Sequence, residues 1–184
     1  FWRTWLFALI ALGLGAYIYV VERPRIAEES GLDFVLDVEV PRVSMLKLRY
    51  PGEPEIELER NGSEWRIRQP IEFPADSDVV EGLIRQIAET KAERRIKTAD
   101  AQPLATYGLD GDGKQARVSI TMDGGERLPD LIVGQTTPVG YSAFARLEGR
   151  DERVAAPLLL HTGVKKSGFD LRDKQRFDVD PTHV

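Results

Sequence analysis

The stretch EIELERNGSEWRI, residues 55–67, carries the clearest folding signal in the chain. Apolar and charged residues alternate on both sides of Asn61-Gly62. Strict alternation is typical of a strand with one buried face, and Asn-Gly favours a tight hairpin turn because both residues tolerate positive φ. The buried face is then formed on both strands by apolar side chains, namely Ile56, Leu58, Trp65 and Ile67. The stretch therefore predicts an antiparallel β-hairpin.

Other alternating segments extend this hairpin into a largely antiparallel sheet. Upstream, SMLKLRY (residues 44–50) leads through the turn residues Pro51-Gly52 into the hairpin. Downstream, the predicted strands are Ala116–Met122, Leu128–Val133, Ser142–Leu147 and Arg153–Ala156. Long helices do not alternate regularly with single strands, which argues against a doubly wound parallel sheet.

One segment changes from strand to helical periodicity. Asp76 and Ser77 are both suitable N-caps, and the apolar residues that follow recur at helical spacing: Val79, Val80, Leu83, Ile84, Ile87 and Ala88. Polar residues occupy the opposite side, so the pattern predicts one long amphipathic helix packed on the sheet. Shorter helical segments are predicted at residues 103–107 and 157–163. The expected fold class is α+β.

The N-terminal stretch TWLFALIALGLGAYIYVV, residues 4–21, contains no charged residue. A helix of this length extends roughly 27 Å, which matches a hydrocarbon core. Trp2 and Trp5 at one end, and Tyr17 and Tyr19 at the other, occupy the positions of interfacial anchors. The stretch predicts a single N-terminal transmembrane helix, with a cleaved signal peptide as the alternative.

Three small residues, Ala8, Ala11 and Gly15, fall on one face of this predicted helix. Small residues let a second helix approach closely, so we expect a helix-packing interface here. The alternative is that Ala and Gly are simply common in membrane helices. A short N-terminus ahead of a large domain places that domain, in a bacterium, in the periplasm, with the chain anchored in the inner membrane.

The predicted organisation has four parts. Residues 1–21 form the membrane anchor, residues 22–34 a charged connector, and residues 35–175 the α+β periplasmic domain. Residues 176–184 are a tail or the start of a truncated second repeat, because Phe177-Asp-Val-Asp180 echoes Leu36-Asp-Val-Glu39.

Composition limits the available chemistry. The 184 residues include 25 Lys and Arg against 30 Asp and Glu, a formal charge of −5, and no Cys. A net acidic chain without a basic run binds nucleic acid poorly, and the lack of Cys removes thiol nucleophiles and Cys-based metal sites. Imidazole chemistry has only His161 and His183 available.

Three short stretches match known functional motifs only in part. Asp110-Gly-Asp-Gly opens like a calcium loop, but Gln115 and Thr121 stand where such a loop needs Gly and Glu. GVKKS (residues 163–167) lacks the earlier glycine of a phosphate loop. The sequence around Ser142 lacks the final glycine of a nucleophile elbow, and no His and acidic residue are placed to complete a catalytic triad. We therefore predict no catalytic, cofactor or metal site.

The order of these segments resembles the bacterial domain-of-unknown-function family 4340. The matching stretches are 17–24, 55–67, PIEFPADSDVVEGLI (70–84), ATYGLD (105–110), LIVGQTTPVGYSAFARLEG (131–149) and LRDK (171–174). The resemblance implies a membrane-anchored extracytoplasmic domain without established catalytic residues. Members are often linked, as accessory proteins, with ABC transporters of the gliding-motility type, and many carry a duplicated unit.

These observations predict a non-catalytic, single-pass membrane-anchored accessory or structural subunit, not an enzyme. Its periplasmic domain is expected to contact and stabilise a larger integral membrane protein complex, while residues 4–21 contact the bilayer. Family association favours an ABC-type transporter as the host, and a bioenergetic complex such as a photosynthetic reaction-centre assembly is a second possibility. The alternative function is a periplasmic lipid- or glycan-binding module that serves an ABC transporter.

Overall fold

The computed structural model describes residues 12, 13, 15, 17, 35–96, 102–111, 115–138 and 141–174. The chain divides into two units, Phe1–Asp33 and Phe34–Val184. Nearly all described residues belong to the second unit.

The described part of the second unit consists mainly of one antiparallel sheet. Its nine strands are β1 (Val43–Arg49), β2 (Ile56–Asn61), β3 (Glu64–Gln69), β4 (Phe73–Pro74), β5 (Arg94–Ile96), β6 (Ala116–Met122), β7 (Leu131–Thr136), β8 (Ser142–Leu147) and β9 (Arg153–Pro157). Its helices are α1 (Ser77–Glu89) and α2 (Leu158–Gly163), with 3₁₀ turns at Val40–Arg42 and Leu104–Tyr107. The spatial order is β4-β3-β2-β1-β6-β7-β8-β9-β5.

The sheet joins two meanders side by side. Strands β1–β4 form the first and β6–β9 the second, and the long-range pairing of β1 with β6 connects them. The central register places Leu46 opposite Leu58 on β2 and Ile120 on β6. All three side chains are fully buried, so the junction is part of the core.

The predicted hairpin is confirmed. Asn61 pairs with Glu64, so the two turn residues are Gly62 and Ser63 rather than the predicted Asn61-Gly62, and Asn61 itself ends β2 without a positive φ. Gly62 adopts φ +65°, a conformation that costs glycine little because it has no Cβ. Trp65 and Ile67 are almost completely buried, as the alternation predicts.

The main core lies between one face of the sheet and the two helices. Helix α1 begins at its N-cap Asp76, whose carboxylate accepts a 3.1 Å hydrogen bond from the backbone N of Val79. Its core-facing residues are Val80, Leu83, Ile84 and Ile87. Helix α2 contributes Leu160, and the chain after it adds Val164 and Leu171. Burial of this stripe therefore fixes α1 to the sheet.

A smaller core covers part of the opposite face. Tyr107, the last residue of the second 3₁₀ turn, and Leu109, just after it, pack with Ile132 of β7. Phe144 of β8 meets Tyr107 edge to face, with ring centroids 4.7 Å apart. The rest of that face, on β1, β2, β3 and β6, carries mainly charged side chains.

The predicted fold class is wrong, although its antiparallel sheet is present. The described residues form mainly a nine-stranded sheet, and α1 is a short helix of 13 residues rather than a long one. The apolar stripe stops at Ile87, and Thr90 ends the helix with an extended backbone and a hydroxyl that donates to the Gln86 carbonyl at 2.6 Å.

The transmembrane helix of the predicted fold class is not found among the residues that the structure describes. Across the described residues, no helix combines the length and apolar character that crossing a bilayer requires. Most of residues 4–21 lie outside the described residues, as do residues 22–34 and 175–184.

Candidate functional site

Five of the seven site residues predicted from the sequence lie outside the described part of the chain. Gly15 and Tyr17 are described, and both are helical and exposed. The other predicted positions lie outside it: Trp2, Trp5, Ala8, Ala11 and Tyr19. The helix-packing interface and the aromatic anchors therefore stay predictions.

A polar cleft of about 290 Å³ lies on the charged face of the sheet. Four of its described lining residues are cationic, three are acidic and one carries a hydroxyl. They are Lys47, Arg49, Arg117 and Arg127, then Glu55, Asp130 and Glu148, and finally Ser119. Sequence reasoning did not single out this cleft, because its residues come from strands that meet only through the β1–β6 pairing.

Two arginines of the cleft lie directly opposite each other. The β1–β6 register pairs Arg49 with Arg117, an arrangement in which like charges repel. Each guanidinium has its own carboxylate partner: Arg49 Nε donates to Glu55 at 2.8 Å, and Arg117 Nη1 donates to Glu148 at 2.7 Å. The hydrogen bond from Arg117 to Glu148 is the main reason that the pKa of Arg117 is raised. These pairs offset the repulsion.

Asp130 is the buried centre of this cleft, with a side chain only 5% exposed. Its carboxylate accepts hydrogen bonds from Arg117 at 3.0 Å and Arg127 at 3.3 Å, and the Ser119 hydroxyl hydrogen-bonds it as well. Burial by itself raises the pKa of Asp130. The hydrogen bonds from Arg117 and Ser119 and the charge of Arg127 outweigh burial, so the pKa lies below its ordinary value.

The charges of the cleft are compensated internally. Lys47 contacts Glu57, the residue opposite it on β2, at 2.9 Å, so the four cations face four carboxylates. The hydroxyl of Ser119 is held by Asp130 and has no imidazole among the described lining residues. Such a network fixes the turns before β7 and after β8, and it offers polar groups for binding rather than a nucleophile with its base.

A second cleft, of about 440 Å³, lies beside the N-terminus of α1. Its acidic lining residues include Glu64, Asp78 and Asp173, and Asp76 is engaged as the helix cap. Ser77 also has a structural role, because its hydroxyl accepts a hydrogen bond from the backbone N of Trp65 at 3.1 Å. The contacts of Asp76 and Ser77 thus define where α1 begins.

The remaining sequence motifs have structural roles. Ser142 begins β8 and its hydroxyl donates to Glu93. His161 lies in α2, where burial and then the charge of Lys165 lower its pKa. Within the described ranges, no three His, Asp or Glu side chains are grouped so that they can hold a metal ion. His183 lies outside those ranges.

Two large apolar side chains are exposed where β8 begins and β9 ends. Tyr141 is 86% exposed and Leu159, on α2, is 65% exposed. The backbone N of Leu158 donates to the Tyr141 carbonyl at 2.7 Å, and Gln86 donates to the Leu159 carbonyl at 2.5 Å, so both residues sit on fixed backbone. We call this pair the Tyr141–Leu159 surface. The run of three leucines at 158–160 is the feature of the sequence that indicates this surface. A surface helix buries only one apolar stripe, so three consecutive leucines cannot all be buried.

The fold and its clefts define an antiparallel-sheet domain with helices on one face and an internally paired charge network on the other. The chain belongs to the family described as Domain of unknown function (DUF4340), which matches residues 65–184. This match confirms the resemblance seen in the sequence. No curated protein and no solved structure matches the chain.

Proposed function

We propose that this chain is a non-catalytic accessory subunit that contacts and stabilises a larger membrane protein complex. The observation that carries the proposal is the Tyr141–Leu159 surface, where two large apolar side chains are exposed on fixed backbone. Exposed aromatic and aliphatic residues on a rigid support are typical anchors of protein interfaces. The domain would present this surface to its partner.

The proposed location is the periplasmic side of a bacterial inner membrane. Its support is the uncharged apolar sequence of residues 4–21, which is characteristic of a segment that enters a bilayer. The linkage that the family resemblance implies favours an ABC-type transporter as the host complex. A bioenergetic complex, such as a photosynthetic reaction-centre assembly, is the second candidate host.

The polar cleft supports a non-catalytic role. Its carboxylates are engaged by arginine and lysine, and its hydroxyl is held by Asp130. The alternative role, a lipid- or glycan-binding module, needs a cleft of matching chemistry. Both described clefts are lined mainly by charged and polar groups, which favours a glycan over an acyl chain.

The test is site-specific photocrosslinking in native membranes. A photoreactive amino acid at position 141 is expected to crosslink to one membrane protein that also co-purifies with the wild-type chain in mild detergent. The control places the same probe at Ser63, in the exposed β2–β3 turn at the opposite end of the sheet. Failure to crosslink at 141, or the same product from both positions, contradicts the proposal.

Loss of co-purification gives a second readout. Tyr141→Ser combined with Leu159→Ser should release the partner, because both apolar anchors are removed. The control is Ser63→Ala, which changes an exposed side chain in the β2–β3 turn at the opposite end of the sheet. Retention of the partner by the double variant would count against the Tyr141–Leu159 surface.

A further inference from the structure

A rigid turn near the start of β2 presents one exposed aromatic ring. Asp170 fixes this turn, because its carboxylate accepts hydrogen bonds from the backbone N of Ser167 at 3.0 Å and from the Ser167 hydroxyl at 2.7 Å. The next position, Gly168, lies against Ile56 at the beginning of β2. Phe169 follows at the tip and is 68% exposed. The hydrogen-bonded backbone of this turn therefore keeps the Phe169 ring in an exposed position.

One lysine lies over this aromatic tip, and a second lysine of the same segment lies over a neighbouring ring. Lys174 Nζ lies 5.1 Å from the centroid of the Phe169 ring, and Lys165 Nζ lies 5.0 Å from that of Tyr50. Residues 164–174 contain four basic residues, Lys165, Lys166, Arg172 and Lys174, against two acidic ones. This segment therefore has an excess of positive charge, whereas the whole chain has a formal charge of −5.

A second apolar side chain is tied to the same segment. The backbone N of Asp173 donates to the Pro74 carbonyl at 3.1 Å, and Arg172 lies over the Phe73 ring at 5.2 Å. The β3–β4 connection just before Phe73 carries Ile71, which is 62% exposed. We call this set, Ile71, Lys165, Lys166, Phe169, Arg172 and Lys174, the basic corner.

We propose that the basic corner docks on the anionic lipid headgroups of a bilayer. Lysines on flexible stems attract a negatively charged surface, while exposed apolar tips enter the boundary between headgroups and acyl chains. The tips project from turns rather than lining a groove, which fits a lipid surface better than a peptide. The segment lies at β2 and β4, whereas the Tyr141–Leu159 surface lies at β8 and β9, so this proposal is independent of the proposed partner contact.

The test measures local lipid contact in the full chain. Because the sequence has no Cys, Gly168→Cys creates a single site for an environment-sensitive fluorophore. A side chain fits there, since a Cβ at Gly168 meets nothing closer than Ile56 Cδ1 at 4.0 Å. The control reporter is Ser63→Cys, in the exposed turn at the other end of β2. Both chains are reconstituted in vesicles of phosphatidylcholine, with or without phosphatidylglycerol.

We expect a blue shift at position 168 only in vesicles that contain phosphatidylglycerol, reversed by high salt, and no shift at position 63. Replacing Lys165, Lys166 and Lys174 by Gln should lower the ratio of contacting to free reporter about fivefold per lysine. Phe169→Ser should lower it about tenfold. No shift at 168, an equal shift in both lipids, or an equal shift at 63 would overturn the proposal. Near-ultraviolet circular dichroism of the tryptophans checks that each variant is folded.

Discussion

Arg117 on β6 and Asp130 ahead of β7 form a 3.0 Å ion pair in which the carboxylate is 5% exposed and the guanidinium 24% exposed. The Asp130 backbone carbonyl also accepts a 2.8 Å hydrogen bond from the backbone N of Glu148, in the turn after β8. A single aspartate therefore ties three successive strands of the second meander together. Its removal is expected to weaken the fold more than the loss of a surface ion pair.

Asp130→Asn should lower the free energy of unfolding by about 2 kcal/mol, because a buried carboxylate with three donors is replaced by a neutral amide. Urea denaturation measures the change. The matched control is Glu152→Gln, which removes the 2.7 Å ion pair to Arg95, where both side chains are about half exposed. The control should cost less than about 0.5 kcal/mol. Equal effects of the two substitutions would show that burial of Asp130 contributes nothing.

The contribution of Asp130 should depend on pH in one direction. Its pKa is lower in the folded chain than in the unfolded chain, so the unfolded state binds the proton more readily. The stabilisation is fully present above the unfolded pKa of about 3.9 and is lost as the pH falls through the folded value. The stability difference between wild type and Asp130→Asn should therefore be constant near neutral pH and shrink below about pH 4. Urea titrations at several pH values measure it, and a difference that grows on acidification contradicts this assignment.

Gly134→Ala should destabilise the fold by about 2 kcal/mol through overpacking. A Cβ at this β7 position would collide with the backbone carbonyl of Tyr107 and lie 2.8 Å from that of Gly108. The control is Gly82→Ala, on the exposed side of α1, where a Cβ meets nothing within 4 Å. That substitution should stabilise the fold by about 0.5–1 kcal/mol, because alanine favours helix. Thermal unfolding distinguishes the opposite signs, and a neutral Gly134→Ala would refute the close approach.

His161 should titrate below the ordinary histidine value of about 6.5. Burial is the main cause and the nearby charge of Lys165 adds to it. A proton NMR titration of the imidazole measures the midpoint, and Lys165→Gln should move it part of the way back. The stability that neutral His161 confers is present above the unfolded pKa and is lost as the pH falls through the folded value. A midpoint at or above 6.5 would contradict this environment.

Local signals in the sequence predict many of the elements. The bounds of β6 and β8 agree with the predicted strands Ala116–Met122 and Ser142–Leu147, because both alternate cleanly and are bounded by turns. Of the two predicted N-caps, Asp76 and Ser77, it is Asp76 that caps α1, and such a cap can be predicted because it depends on one side chain and the next few backbone groups. These features depend on neighbours in the chain.

The remainder depends on contacts between distant segments. Lys47 meets Ser119, and Arg49 meets Arg117, only because β1 pairs with β6 across roughly seventy residues of intervening chain. Alternation reveals that each strand has a polar face, but not which polar faces meet. The polar cleft around Asp130 could therefore not be predicted from the sequence. The main helix was predicted to be long, but it has only 13 residues and ends at Thr90.

The outermost strands of the described sheet are only two and three residues long, β4 and β5. The outer side of β4 is already engaged, since Pro74 accepts a hydrogen bond from Asp173. Within the described residues, these two short edge strands leave few backbone groups that a strand of another chain could pair with. A partner that bound this sheet would therefore contact mainly its side chains, and point substitutions could alter such binding without disturbing the backbone hydrogen bonds between strands.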